Sequence, residues 1–298
     1  MNLNTAQPPV ASAAPRQGAA RVLRHVWARN MGRFALVCVL LLLACALFAP
    51  WIAPHDPIAI KAALRLQGPS AEYWLGNDQL GRDVLSRLIY GSRIAMSVAF
   101  LGAGGALACG MVLGLLAGYG PRWLDTVLML CCDSVMSIPM ILFALVVVAL
   151  VGSSVSTIIL IIVTFMMPGY FRVVRSQTLV LKRMDYVTAA RGMGASGLSV
   201  VVRHLVPNLG GTLLVLVAMD IPAVVAIESG LSFLGQGVQP PTASWGSVLN
   251  DGYAFIRQAP HIVIAAGLPI VFATLGFTFL GEALRDALDP RSTGGQRP

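Results

Sequence analysis

Six stretches of the chain are apolar at nearly every position: 34–53, 94–118, 126–151, 155–171, 209–234 and 262–281. A helix needs about 20 mostly apolar residues to cross a hydrocarbon core roughly 30 Å thick. The stretches meet that length, the fourth with the help of residues 151–154 just before it. Four of the six carry no charge; the third holds Asp133, and the fifth holds Asp220 and Glu228. The pattern predicts an all-α membrane protein with six transmembrane helices.

The polar intervals have patterns of their own. The interval after the first span opens with Pro54 and Pro57, which end a helix. Further on, Val84, Leu85, Leu88 and Ile89 share one helical face, with Arg82 and Arg87 elsewhere. This predicts a short amphipathic helix lying at the membrane surface ahead of the second span. Within that span Gly110, Gly114 and Gly118 recur every fourth residue, a stripe on which another helix backbone can approach closely. The longest polar interval, 172–208, predicts two short helices. The first starts at Asp185, contains Ala189 and Ala190 and stops at glycines; the second covers 197–206 and ends at Pro207. Such a pair reads either as a bracket on which a cytoplasmic partner docks or as a solvated basic loop.

Composition turns the apolar runs into a statement about solvent. Of 298 residues, 56% are hydrophobic and 11% charged, against roughly 25% charged in a soluble domain. Lipid must therefore be the solvent for much of the chain. The net charge of +8 does not signal nucleic acid, because no basic cluster is interleaved with aromatics and only Lys61 and Lys182 are lysines. The basic residues report orientation instead. With six spans and the N-terminus inside, fifteen of the twenty-one Lys and Arg fall on inner segments and six on outer ones. Such an excess marks the cytoplasmic side, so both termini are expected there. The first apolar run and its long lead-in exceed a secretory leader and predict a retained anchor. Cys38, Cys45, Cys109, Cys131 and Cys132 all lie in apolar runs without metal-ligand spacing and read as packing residues.

The sequence carries no catalytic constellation and no metal site. Neither lysine sits in a glycine cradle of the GxxxxGK[ST] type, there is no HExxH, and the four histidines are scattered. Charged groups inside spans are costly and mark either a solute path or helix packing. Asp133, Asp220 and Glu228 are accordingly the candidate translocation-path residues; the last two are eight residues apart, about 80° around a helix.

The stretch Thr188-Ala-Ala-Arg-Gly-Met-Gly194, then nine residues, then His204-Leu-Val-Pro207, resembles the EAA loop of binding-protein-dependent ABC importer permeases. The family pattern is Glu-Ala-Ala, three residues, Gly, nine residues, Ile-x-Leu-Pro. This chain keeps both alanines, the glycine, the spacing and the proline, and departs at Thr188, His204 and Val206. Three further stretches resemble the C-type subunit of the dipeptide, oligopeptide and nickel branch: Leu75-Gly-Asn-Asp-Gln-Leu-Gly-Arg-Asp-Val-Leu-Ser-Arg-Leu-Ile-Tyr-Gly91, Glu228-Ser-Gly-Leu-Ser-Phe-Leu-Gly-Gln-Gly-Val-Gln-Pro-Pro-Thr-Ala-Ser-Trp-Gly246 and Leu284-Arg-Asp-Ala-Leu-Asp-Pro-Arg291.

The resemblance implies a type I ABC importer permease fold. It divides the chain into a cytoplasmic tail (1–33), a first span with its outer segment (34–92), a permease domain (93–285) and a second tail (286–298). The coupling loop, 172–208, would present Asp185, Ala189, Ala190, Arg191, Gly194, Arg203 and Pro207 to an ATPase subunit. Implied partners are a homologous second permease subunit, two ATP-binding subunits, an extracytoplasmic solute-binding protein and the lipid of a bacterial inner membrane. ATP and Mg would be used by the ATPase subunits, with no cofactor on this chain. Expected cargo is a di- or oligopeptide or a related solute such as a nickel chelate. An ion-gradient-driven secondary transporter is the alternative, since it too places acids in its spans.

Overall fold

The computed structural model describes Arg24 and residues 26–288. The tail reading of 1–15, Arg16, Arg21, and the end of the chain from 289, with Arg291, lie outside the described residues. The described chain is almost wholly helical. In order come α1 (Asn30–Ile52), α2 (Val84–Tyr119), α3 (Arg122–Met136), α4 (Met140–Val151), α5 (Val155–Leu181), α6 (Asp185–Gly192), α7 (Gly197–Val200), α8 (Val206–Phe233), α9 (Trp245–Tyr253) and α10 (Pro260–Leu288). Among the described residues, five helices are long and apolar enough to cross a membrane. Helices α3 and α4 make a sixth crossing only as a pair bent by 90°.

The bend lies where the sequence cannot continue a helix. Pro139 has no N–H to donate and its ring clashes with the preceding turn. The two N–H groups just after α3 close its end, Ser137 to the Asp133 carbonyl at 3.0 Å and Ile138 to that of Val135 at 3.4 Å.

The bundle is built on α2 against α5. A Cβ on Gly110 would lie 2.6 Å from the Tyr170 Cβ, one on Gly114 2.7 Å from that of Val174, and one on Gly118 2.7 Å from that of Thr178. The glycine stripe thus meets α5 through three successive turns, with backbones in near contact. Helices α8 and α10 close the core beside α2, where Ile158, Ile161, Ile162, Val224, Val225 and Ile262 are fully buried. Helix α1 packs on α2 and α10 and turns Val37, Leu40, Leu41, Leu47 and Phe48 outward, half or more of each residue's surface bare. That is an apolar face turned away from the bundle.

Three local expectations are corrected. Residues 84–92 are not a separate surface helix but the first turns of α2, capped by the Asp83 carboxylate, which accepts from Ser86 N at 2.9 Å. Their apolar face is spent on the core, so no free face remains to lie on lipid. The fourth span does not stop at Phe171 but runs on to Leu181, taking Arg172 and Arg175 into the helix. The second loop helix does not end at Pro207. It passes through one π turn, Val201–Leu205, straight into α8, with Pro207 in the first turn of that helix. A wide π turn relieves the proline of the hydrogen bond it cannot make.

Candidate translocation path and coupling bracket

At one end of the bundle α6 and α7 form the bracket. Val187, Val200 and Leu205 are buried against Leu115 and Tyr119 at the end of α2 and Leu181 at the end of α5. The Arg191 guanidinium lies 4.9 Å over the Tyr119 ring. Lys182 donates to the Gly118 carbonyl at 2.6 Å, and burial followed by the charges of Arg183 and Arg191 holds its pKa below the ordinary lysine value. The turn is set by Gly194 at φ +88°. Its N–H bonds the Arg191 carbonyl at 2.9 Å and the Ala195 N–H bonds that of Ala190 at 3.0 Å, which closes the helix end in a Schellman turn. A Cβ at Gly194 would meet nothing within 4 Å beyond its chain neighbours.

Of the residues expected there, Asp185, Ala189, Arg191, Gly194, Arg203 and Pro207 are exposed, whereas Ala190 is buried. Beside them the bracket bares Met193 (83%), Leu198 (75%) and Val202 (56%), with Met184 and Tyr186 nearby. Sequence reading missed these apolar side chains, although each is legible as a hydrophobic residue that the short helices cannot bury.

The opposite end is closed upon itself. Trp245, at the start of α9, is fully buried, and its indole N–H donates to the Leu88 carbonyl at 3.0 Å. A Cβ on Gly246 would overlap the Ser229 carbonyl oxygen, so α9 sits directly on α8. Asp78 is fully buried between Arg82 (Nε–Oδ2 2.7 Å) and Arg87 (Nη1–Oδ2 2.6 Å). Both arginines also reach Asp251 on α9, at 3.3 and 2.9 Å. Two of the family-like stretches, 75–91 and 228–246, therefore serve to fasten α2, α8 and α9 together. The charges were visible in the sequence. Their pairing was not, since Asp251 lies outside both stretches. Outside this cluster, Lys61 donates to the Tyr73 hydroxyl at 2.7 Å, a bond that raises the lysine pKa.

The three intramembrane acids have different neighbours. Glu228 is fully buried: Ser232 Oγ donates to Oε1 at 2.8 Å and Ser229 Oγ to Oε2 at 3.3 Å. Ser232 Oγ in turn accepts from Val238 N at 3.2 Å, which ties the loop after α8 to the helix. Asp220 is half-buried and interacts with Tyr170, whose buried hydroxyl closes no hydrogen bond of ordinary geometry. Asp133 is exposed and pairs with Arg172 at 2.6 Å (Nη2–Oδ1).

Around that pair runs a strip of polar and small positions, all exposed: Ser134 and Ser137 on α3 and just after it, Gly169 and Ser176 on α5, and Asn208, Gly211 and Thr212 on α8. A cavity of about 310 Å³ lies on it, lined by Ser176, Gln177, Val180, Leu181, Asn208 and Thr212. Near the α3–α4 bend a second cavity, of about 520 Å³, is apolar and lined by Pro139, Met140, Ile141, Ala226, Ile227 and Leu231 among others.

A bundle with this many long apolar helices defines a multi-pass membrane subunit. Residues 110–294 match the family described as binding-protein-dependent transport system inner membrane component, and residues 19–69 match the N-terminal TM domain of oligopeptide transport permease C. The chain belongs to this family. It is similar to the glutathione transport system permease protein GsiD of Pectobacterium atrosepticum, 38% identical over 273 residues, 90% of this chain and 91% of the relative. The proteins of the same name from Escherichia coli and Shigella sonnei are 39% identical over 267 residues, 89% of this chain and 88% of theirs. The chain is accordingly a permease subunit of an ATP-binding cassette importer in the inner membrane and not an enzyme. Such a permease works with a partner permease, ATPase subunits that use ATP, and a binding protein.

Proposed function

We propose that this subunit conducts short peptides inward, with both termini and the bracket of α6 and α7 in the cytoplasm. The fifteen-to-six division of basic residues supports that orientation. The bared Met193 and Leu198 are the observation that carries the docking role: apolar surface on a charged, water-facing loop is explained by a partner that covers it. One such bracket from this chain and one from a different, homologous permease would each enter a cleft on one of two ATPase subunits. Closure of the ATPases then moves the brackets and switches the pore between its outward and inward states. The binding protein delivers cargo to the opposite face.

The path runs along the polar strip, with Asp133 and Asp220 on it. Glu228, enclosed by serines, anchors the outer loop and makes no direct contact with the solute. Peptide cargo is supported by the relatives' name, since glutathione is a peptide, and by the oligopeptide permease match over 19–69.

The test is reconstitution of the chain with its co-encoded partners in proteoliposomes. Glutathione or di- and tripeptides should stimulate ATP hydrolysis and accumulate, and Glu228→Gln should transport cationic and neutral peptides in the same ratio as the parent. Stimulation by a nickel chelate but by no peptide would overturn the cargo. Uptake driven by an ion gradient without ATP would overturn the mechanism.

A further inference from the structure

Two acid–base pairs join α3 to α5, and they are built differently. Asp125 and Arg175 are about three-quarters buried, with exposures of 22% and 26%. They meet through two parallel bonds, Nε to Oδ1 and Nη2 to Oδ2, the latter at 2.6 Å. That is a saturated fork, the geometry of a structural clasp. Asp133 and Arg172 are 53% and 45% exposed and share one hydrogen bond, at 2.6 Å. Among the described residues no other bond engages the guanidinium, so most of its five donors are free, as is Asp133 Oδ2.

The position makes this openness costly unless it is used. Arg172 lies nine residues before the end of α5, about 13 Å inside the bundle's inner end. Charged side chains at such a depth avoid lipid and face a water-filled cavity or a partner. Their immediate surroundings suit a passing solute. Gly169 and Ser176 flank Arg172 on the same face of α5, while Ser134 follows Asp133 directly and Ser137 lies one turn beyond it. Small side chains leave room on both sides of the pair, and the 310 Å³ cavity begins one turn further on, at Ser176.

We propose that Asp133 and Arg172 form a cargo-reading site for the two charged ends of a zwitterionic peptide. The inference rests on the reading of the polar strip as the translocation path. With the path empty, each residue neutralises the other. A peptide opens the pair: its carboxylate takes the free fork of Arg172, and its ammonium takes Asp133. A single small ion matches only one half and must leave the other half unpaired, which disfavours leak. A peptide replaces the pair with two new ones, so the exchange is nearly balanced and the cargo is released again.

Two readouts on the full complex in proteoliposomes separate this proposal from the path reading beneath it. The first is uptake of dialanine, its C-terminal amide and its N-acetyl derivative, delivered by the same binding protein to parent, Arg172→Gln and Asp133→Asn. Because delivery is held constant, a change in preference belongs to the permease. Arg172→Gln should lower dialanine uptake about tenfold, the worth of one charge-assisted bond, and shrink the preference over the amide alone. Asp133→Asn should shrink the preference over the N-acetyl form alone. Arg172→Lys retains the charge that Asp133 needs and loses the fork, so it carries the test if the neutral variant fails to assemble. It should narrow the amide preference severalfold.

The second readout is reaction of Ser134→Cys, in a chain without its native cysteines, with a charged thiol reagent. Labelling together with the crossed pattern of preferences supports the proposal. Labelling with equal losses for all three cargoes, or with none, leaves the path and removes the cargo-reading site. Failure to label places Ser134 away from water and overturns both.

Discussion

The two ends of this bundle are built from similar materials and left in opposite states. At the end that carries α9, the outer end in the proposed orientation, Asp78, Arg82, Arg87, Trp245 and Glu228 all lie at or below 6% side-chain exposure or are fully buried, and each finds partners within the chain. At the bracket end, Met193, Leu198 and Val202 stand in the open. A finished surface needs nothing from outside, whereas an unfinished one is completed by another subunit. Resemblance to a family does not by itself separate the two, because both ends contain family-like stretches. Burial does: the stretches at the α9 end are stabilising structure, and the one at the bracket end supports the proposed coupling surface. Mutations at the outer end should therefore act on stability, and mutations at the inner end on the ATPase.

The largest expected effect is that of Trp245→Ala. It removes a fully buried indole and its bond to the Leu88 carbonyl, at a cost of about 3–5 kcal/mol. Thermal unfolding of the purified complex, followed by loss of monodisperse protein, would register it as poor assembly whatever the cargo. An unaltered midpoint would mean that α9 is not fastened to α2.

Asp251→Asn sharpens the same comparison at smaller cost. It leaves Arg82 and Arg87 with Asp78 as their one ionised partner, and the lost charge-assisted bonds are worth about 1–3 kcal/mol. Because Asp251 is 25% exposed, water offsets part of that loss. Stability should fall without a change in ATP hydrolysed per solute carried, as read from the surviving folded fraction. A change in that ratio with unaltered stability would make the outer cluster part of the coupling.

Gly194→Asp should do the reverse. Positive φ costs a non-glycine residue about 1–2 kcal/mol, and there is room for the side chain within this chain. Insertion and folding persist, while the new carboxylate intrudes on the contact with the ATPase. Co-purification of the ATPase subunit, or its stimulation by cargo, should drop severalfold. Normal values of both would remove the coupling role from the turn.

These contrasts also explain how much was legible beforehand. Long apolar runs leave few structural choices in lipid, so the helical fold and its spans follow from the residues alone. The Gly110–Gly114–Gly118 stripe announced a close helix contact because only a missing Cβ permits one. Boundaries were less legible where a polar residue does not end a helix. Arg172 and Arg175 read as loop residues, yet α5 carries them because Asp133 and Asp125 on α3 compensate their charge. Pro207 read as a terminus, yet a π turn absorbs it. The acids told a similar story: Asp133, Asp220 and Glu228 looked alike as charges in spans, and only their neighbours distinguish them. Serines on the same helix hold Glu228, while the partner that leaves Asp133 open lies 39 residues away in sequence.

The most direct test of the two-ended account is a crosslink made in the assembled complex. A single cysteine is placed either at Leu198, on the inner bracket, or at Thr242, exposed on the outer loop, in a chain without native cysteines. A short bifunctional thiol–amine reagent is then applied, and the products are identified by mass. Leu198→Cys should link to the ATPase subunit, and Thr242→Cys should not. An ATPase product from Thr242→Cys, or none from Leu198→Cys in a complex that still hydrolyses ATP, would contradict the assignment of the two ends.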